Sequence, residues 1–420
     1  MAMTSGSQQA SGGAPGDGKW TVMVFMSADR IEGDVPLVDA AIADINEMGV
    51  IGSNDLLNVF VQVYGVAAEP RRAHVKTGTT WQQIAADATT IVPEPERKTK
   101  DGLALEAFMR YAFDAAQHNP HDRSHYSMLV LWGHAYDFGF ARVRTASGTP
   151  DAIDFAELSA VLDRIQRSVQ DYYKLGEAPR LDVVAFDACD VATVELAFEL
   201  APYAKYLLGS QVGVPIPGWP YDRILKQLHV PFGRLMSPPE FGVWAVRRYV
   251  EAYAPQRPVS LSMLNLEKAV AVAARVKVLS ELILAVIEAE PQTAGMFAAL
   301  FERSLTFVER PYLDAADLCV NLARESGDER IAQASRALGD VLIAAQFPVV
   351  GMSKEPGPYP FVVAHGRNAG DTAKLNGVSL YAPVDSAEDD LLSARTSYES
   401  MKFAQRTRWS ELVHGLAAMV

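Results

Sequence analysis

Five short segments of the chain are nearly continuous apolar runs rich in β-branched and aromatic residues: Trp20–Ser27, Leu56–Gly65, Tyr126–Trp132, Leu181–Asp187 and Tyr206–Val214. Runs without polar alternation fit strands that are covered on both faces. Between them, apolar residues recur at helical spacing. Leu37–Met48 carries Leu37, Ala40, Ala41, Ile45 and Met48 on one stripe, and Leu103–Ala116, Phe155–Val169 and Val191–Leu200 behave alike. Strands alternating with helices predict an α/β fold, a mostly parallel sheet flanked by helices. In such sheets, functional groups gather in the loops beyond the carboxyl ends of the strands.

Two stretches break the alternation. Val66–Gly102 contains TGTTWQQIAAD and the charged EPERKTKDG, which predict a hairpin followed by an exposed linker. Beyond residue 235 the pattern is mainly helical, over Pro239–Ala252, Leu266–Ala289, Thr293–Phe307, Leu313–Ala323 and Arg330–Ala345. Gly377–Pro383 predicts a strand returning to the sheet, and Leu392–Phe403 a further helix. The organisation expected is a flexible Gly/Ser-rich tail over 1–19, a core over 20–235 and a helical C-terminal region over 236–420.

Composition narrows the function classes. The chain of 420 residues is 49% hydrophobic and 21% charged, so a large core needs no metal or disulfide staple. Its formal charge is −13, with no basic block, which argues against nucleic acid and anionic membrane surfaces as partners. The most apolar helical stretch, Ala269–Ile287, is interrupted by Arg275, Lys277 and Glu281, too polar to span a bilayer. The N-terminal stretch lacks the charged and apolar regions of a secretory signal, and the expected location is cytoplasmic.

The third and fourth runs end in chemistry. LVLWGHAYDFG places His134 just past one predicted strand, and VVAFDACDVATVELAFEL places Cys189 just past the next, immediately before an amphipathic helix. A thiol at a helix N-terminus has its thiolate favoured, and a histidine on a neighbouring strand end can take the thiol proton and return it to a leaving amine. Histidine 55 residues upstream of cysteine is the order of caspase-type peptidases. Cys319 lies in a helical pattern and reads as core, and His365 and Ser210 lack the context of a base or a nucleophile. Asp314 and Asp317 read as cap and surface acids.

These landmarks resemble the clostripain family of cysteine peptidases (family C11, clan CD), whose clan includes the caspases. WTVMVFMSAD is similar to the family's opening strand, LVLWGHA to its strand ending in histidine, and FDAC to its Asp-Ala-Cys segment. SQVGVPIPGWPYDRIL, YLDAADLC, GVSLYAP and YESMKFAQRTRW follow in the family's order. The resemblance implies a caspase-like fold and an endopeptidase acting on protein or peptide substrates. It implies Cys189 as nucleophile, His134 as general base and acid, and the backbone N–H groups of Cys189 and Ala135 as oxyanion donors. Asp187 would line the pocket for the residue before the cut. No cofactor is implied, although parts of the family use calcium; Asp151, Asp154 and Glu157 do not form an EF-hand loop. The resemblance also admits self-cleavage near Arg142 and Arg144, and a role in bacterial defence or programmed cell death through a gasdermin-type substrate. The alternative in a different class is a latent or inactive caspase-like scaffold.

Two departures from the family shape the expectations. Ala135 stands where glycine is usual, which preserves the N–H donor provided its φ is negative. The segment Val214-Pro215-Ile216-Pro217-Gly218-Trp219 lacks the acids by which, in the family it resembles, a basic side chain is held, with Val214 and Pro217 in their places. One carboxylate holds a guanidinium poorly. The expected preference is therefore altered from Arg or Lys, unless another acid, such as Asp29 or Asp137, fills the pocket.

Overall fold

The five apolar runs form the parallel centre of an eight-stranded sheet. The structure, a computed structural model, describes residues 18–28, 35–96, 102–117, 125–136, 138–144, 150–230, 235–254, 257–307, 310–342, 359–368, 372, 374–383 and 397–418. The chain opens with β1 (Lys19–Ser27), α1 (Val38–Ile51), β2 (Leu57–Tyr64), β3 (Arg71–His74), α2 (Trp81–Ala86) and α3 (Leu103–Ala116). β4 (His125–Gly133) leads into a small antiparallel unit of β5 (Ala135–Tyr136), β6 (Gly139–Arg144) and β7 (Pro150–Asp154). Then come α4 (Phe155–Tyr173), β8 (Leu181–Asp187), α5 (Val194–Leu200) and β9 (Ala204–Gly209). Two single-turn helices, α6 (Tyr221–Ile224) and α7 (Lys226–His229), precede α8 (Pro238–Tyr253), β10 (Ser260–Asn265) and α9 (Ala269–Ala289). The C-terminal part adds α10 (Ala294–Glu302), β11 (Thr306–Phe307), β12 (Arg310–Asp314), α11 (Ala315–Glu325), α12 (Glu329–Leu342), β13 (Val362–Arg367) and β14 (Ser379–Tyr381).

The main sheet has the order β13-β10-β9-β8-β4-β1-β2-β3. β2, β1, β4, β8 and β9 run parallel, β3 and β10 run against them at the two flanks, and β13 pairs antiparallel with β10. Because side chains alternate across a strand, each parallel strand feeds two cores. On β1, Trp20, Val22, Val24 and Met26 pack in one with residues of α1 and α8. Met23 and Phe25 pack in the other with residues of α3, α4, α5 and α9. The connections leave β1 toward β2 on one side and return to β4 on the other, so a crevice opens between the carboxyl ends of β1 and β4. His134 follows at the end of β4.

Three expectations are corrected at the level of elements. The TGTTWQQIAAD segment ends in α2, whose Thr80 and Gln83 make a capping box, after a β2–β3 hairpin. The strand expected over Gly377–Pro383 exists at Ser379–Tyr381, but it pairs with β12 in a separate three-stranded sheet. The strand that returns to the main sheet is β13, next to β10. β10 escaped the pattern because Ser260 and Ser262 interrupt its apolar run; both are buried. No helix among the described residues is long and apolar enough to cross a membrane.

Candidate active site

Strand register brings the two candidate catalytic residues together. β4 and β8 are neighbouring parallel strands in which Trp132 pairs with Asp187. His134 and Cys189 each lie two residues further on, beyond the same end of the sheet. Adjacent strands stand about 4.8 Å apart, so two residues 55 positions apart in sequence become neighbours.

Each has a defined partner. His134 Nε2 lies 2.9 Å from the carbonyl oxygen of Val35, just before α1. A carbonyl only accepts, so this contact places the imidazole proton on Nε2 and makes Nδ1 the basic nitrogen of the ring. The Val214 N–H donates to Cys189 Sγ at 3.2 Å, a bond that favours the thiolate. The helix expected immediately after the cysteine starts at Val194, with Thr193 Oγ1 capping the N–H of Leu196. Between them Asp190 takes a left-handed turn at φ 55°. The turn is tied to the loop after β9 through Asp190 N–H to Val212 O and Val191 and Ala192 N–H to Ser210 O. The observed thiolate donor therefore comes from a loop remote in sequence.

Backbone shape at the histidine is also resolved. Gly133 has φ 145°, and a Cβ there would lie 2.7 Å from Ser27 O, so the position requires glycine. Ala135 is absent from the residues with positive φ, so its methyl group introduces no strain of that kind. It is buried in β5, paired with Phe140.

Beside the cysteine lies an acid pair. Asp187 is buried, and its Oδ2 accepts from the Trp219 N–H at 3.0 Å and the Tyr221 hydroxyl at 3.2 Å. Its Oδ1 has no partner. Burial pushes its pKa up to about 7, against the opposing effect of those two donors. Asp44, from α1, is equally buried and accepts from Trp132 Nε1 at 2.6 Å. Burial and then the charge of Asp187 raise its pKa well above the carboxylate range. Both acids border Gly218, whose φ is 91°. A Cβ on Gly218 would lie 3.0 Å from Asp187 Oδ2 and 3.4 Å from Asp44 Oδ2. The Gly218 turn is clamped from α8 and its C-terminal side, by the Tyr253 hydroxyl on Gly218 O and by Arg257 on Ile216 O.

Asp187 stands beside Gly218 and Trp219 of the 214–219 segment, while Pro217 is exposed. Asp29 and Asp137 lie outside the described residues, as do residues 145–149 and the side chains of Arg142 and Arg144. Sequence reasoning missed Asp44, Val35 and Val214; the polar Asp44 on the buried stripe of α1 was the available signal for the first, and backbone partners leave none.

The remaining candidates are structural. His365 contacts Ser262 Oγ and Leu375 O, and burial lowers its pKa to about 4. Cys319 is buried, which pushes its thiol pKa far up. Asp314 caps α11 and anchors Gln211 and Asn376. Asp154 and Glu157 form the capping box of α4. Among the described residues, no group of three or more His, Cys, Asp or Glu is placed to hold a metal ion.

Comparison with known proteins follows the same lines. The clostripain family matches over residues 24–339, three quarters of the chain. The chain belongs to the clostripain family. It is therefore a cysteine endopeptidase, a hydrolase of proteins or peptides, and this family needs no cofactor in general. Comparison with curated proteins gives no match. The fold is shared with a secreted C11 cysteine protease from Bacteroides thetaiotaomicron bound to an irreversible peptide inhibitor, at TM-score 0.58 and 16% identity, covering 93% of this chain and 99% of that one. An inactive zymogen C11 protease from Parabacteroides distasonis aligns at TM-score 0.55 and 15% identity, over 94% and 99% of the two chains. The secreted protease iotapain from Bacteroides thetaiotaomicron aligns at TM-score 0.55 and 12% identity, over 94% and 100%.

Proposed function

We propose that this clostripain-family enzyme cuts peptide bonds with Cys189 as nucleophile and His134 as base and acid. The observation that carries the assignment is the Trp132–Asp187 pairing, which sets residues 134 and 189 side by side. Nδ1 of His134 takes the thiol proton as Sγ attacks the scissile carbonyl carbon. The same proton passes to the leaving amine as the C–N bond breaks, leaving a thioester on Cys189. Water then attacks the thioester, His134 again accepting a proton and returning it to sulfur, and the new carboxylate departs. The N–H groups of Cys189 and Ala135 serve the oxyanion, a role compatible with the negative φ of Ala135. The Val214 N–H supports the thiolate between turnovers.

The test is digestion of a diverse peptide mixture, with cut sites read by mass spectrometry. Wild-type protein yields cuts, whereas Cys189→Ala and His134→Ala yield none above background. Cleavage that survives Cys189→Ala would end the assignment. The experiment is run with and without calcium, since the family includes calcium-dependent members.

A further inference from the structure

The two strands that present His134 and Cys189 at their carboxyl ends border a cavity at their amino ends. It measures about 460 Å³ and lies between the sheet and the helices α3 and α4. We propose that this cavity is a second binding site, separate from the catalytic centre, for a small amphiphilic carboxylate: an apolar chain that ends in one anionic head, as in a fatty acid. The inference goes beyond the peptidase reading and does not depend on it.

Side-chain alternation builds a polar floor under an apolar roof. Ser127 on β4, Asp182 on β8 and Lys205 on β9 share the sheet face that carries Leu129, Val184 and Leu207 two residues further on. The apolar core thus gives way to a polar row at this end of the sheet. Asp182 is buried, and its Oδ2 accepts from the Ser127 N–H at 2.8 Å while its Oδ1 accepts from Lys205 Nζ at 2.8 Å. Facing that row, Leu162, Ile165 and Val169 form one stripe of α4, beside Phe113 of α3. A cavity of this size, with apolar walls and a few fixed polar groups, matches the sites that take small molecules.

Charge selects the ligand. Asp182 is the one acid among the described residues that line the cavity, against the fixed cations Lys205 and Arg180. Arg180 Nη2 pairs at 3.0 Å with Glu267, an exposed residue outside the lining. Among the described residues, Lys205 uses one of its three N–H groups on Asp182, and Arg180 one of its five on Glu267. Their side chains are 44% and 31% exposed, so the cationic heads are within reach of an entering molecule. The surplus is therefore of positive donors, in a chain whose formal charge is −13. A carboxylate takes such donors in charge-assisted bonds, and its apolar chain covers the roof. A cationic ligand would meet like charge instead. Ser127 stands on the order of 20 Å of extended strand before His134, so the cavity is no part of the catalytic centre.

The test uses three probes of one chain length and different heads: octanoate, octanol and octyltrimethylammonium, each titrated calorimetrically into the full chain. We expect octanoate to saturate a single site and to bind about tenfold or more tightly than either of the others. Arg180→Gln lowers octanoate affinity about tenfold. Val169→Trp, which fills the cavity from a half-buried position on α4, abolishes binding. Cys189→Ala leaves it unchanged. Should Val169→Trp not fold, Arg180→Glu at its partly exposed position decides the matter, by reversing the preference between octanoate and octyltrimethylammonium. No saturable binding of octanoate overturns the proposal. So do equal affinities for the three probes, or octanoate binding that is indifferent to the changes at Arg180 or to a folded Val169→Trp. Binding lost in Cys189→Ala would place the ligand at the catalytic centre and likewise end the idea of a separate site.

Discussion

The two cysteines of this chain occupy opposite chemical environments. Cys189 is partly exposed and accepts a backbone N–H, whereas Cys319 is 2% exposed with its thiol held protonated by burial. Iodoacetamide at neutral pH should therefore modify Cys189 at least tenfold faster than Cys319, read by peptide mapping, because only the thiolate reacts. Comparable slow rates at both would contradict an activated thiol. Gly218 offers a second residue-level test. Gly218→Ala forces a side chain into a φ of 91° and against Asp187, at a cost of about 1–3 kcal/mol. Thermal unfolding of the variant should show the loss, with peptide cleavage falling further than the stability change explains. At this scale the sequence displayed His134, Cys189 and Asp187 plainly, since each ends or follows an apolar run. It hid Asp44, because an acid on a helical stripe looks like surface until the helix is seen against the sheet. It also hid the carbonyl of Val35 and the N–H of Val214, as any residue type can supply a backbone group.

Among the elements, four of the five uninterrupted apolar runs match their strands to within one residue, because burial on both faces leaves no room for polar side chains. The fifth, read as Tyr206–Val214, is strand only over Ala204–Gly209 and then turns into the loop that holds Cys189. Observed β8 spans Leu181–Asp187, the limits read from composition. What defeated the reading was pairing. β10 carries two buried serines, and β14 turned away from the main sheet to join β12, choices set by tertiary neighbours rather than by local pattern. The start of α5 shows the same limit. Its apolar stripe begins near the cysteine, but Thr193 supplies the cap and Asp190 the turn, so the helix begins at Val194. Thr193→Ala removes that cap and should cost about 1 kcal/mol by denaturant unfolding. Since the turn it terminates carries Cys189, labelling of the thiol should slow in the same variant; an unchanged rate would show that the turn holds without the cap.

For the molecule as a whole, buried acids set a pH dependence. Glu195 on α5 accepts from the Tyr381 N–H and the Tyr398 hydroxyl, and burial raises its pKa to about 7. The unfolded chain would ionise this group near its ordinary 4.5. Between those values the folded protein binds more protons than the unfolded one, so stability falls as pH rises through this window. Asp187, Asp44, Glu47 and Glu199, all raised by burial, act in the same direction. Glu195→Gln removes one of these contributions. Its plot of unfolding free energy against pH, from about 4.5 to 7, should fall less steeply than that of wild type, by up to about 1.4 kcal/mol per pH unit. A slope identical to wild type would show that Glu195 stays ionised in the folded state.

The position of β10 and β13 has a bearing on handling the protein. β9 hydrogen-bonds β8 on one side and β10 on the other, and β10 is covered in turn by β13. A chain cut after residue 235 would keep both His134 and Cys189 yet lose these two covering strands. The outer row of peptide groups on β9 would then lie open along a largely apolar strand, the kind of border along which polypeptides stack into aggregates. Shortening this enzyme to the part that holds its chemistry should thus yield insoluble material.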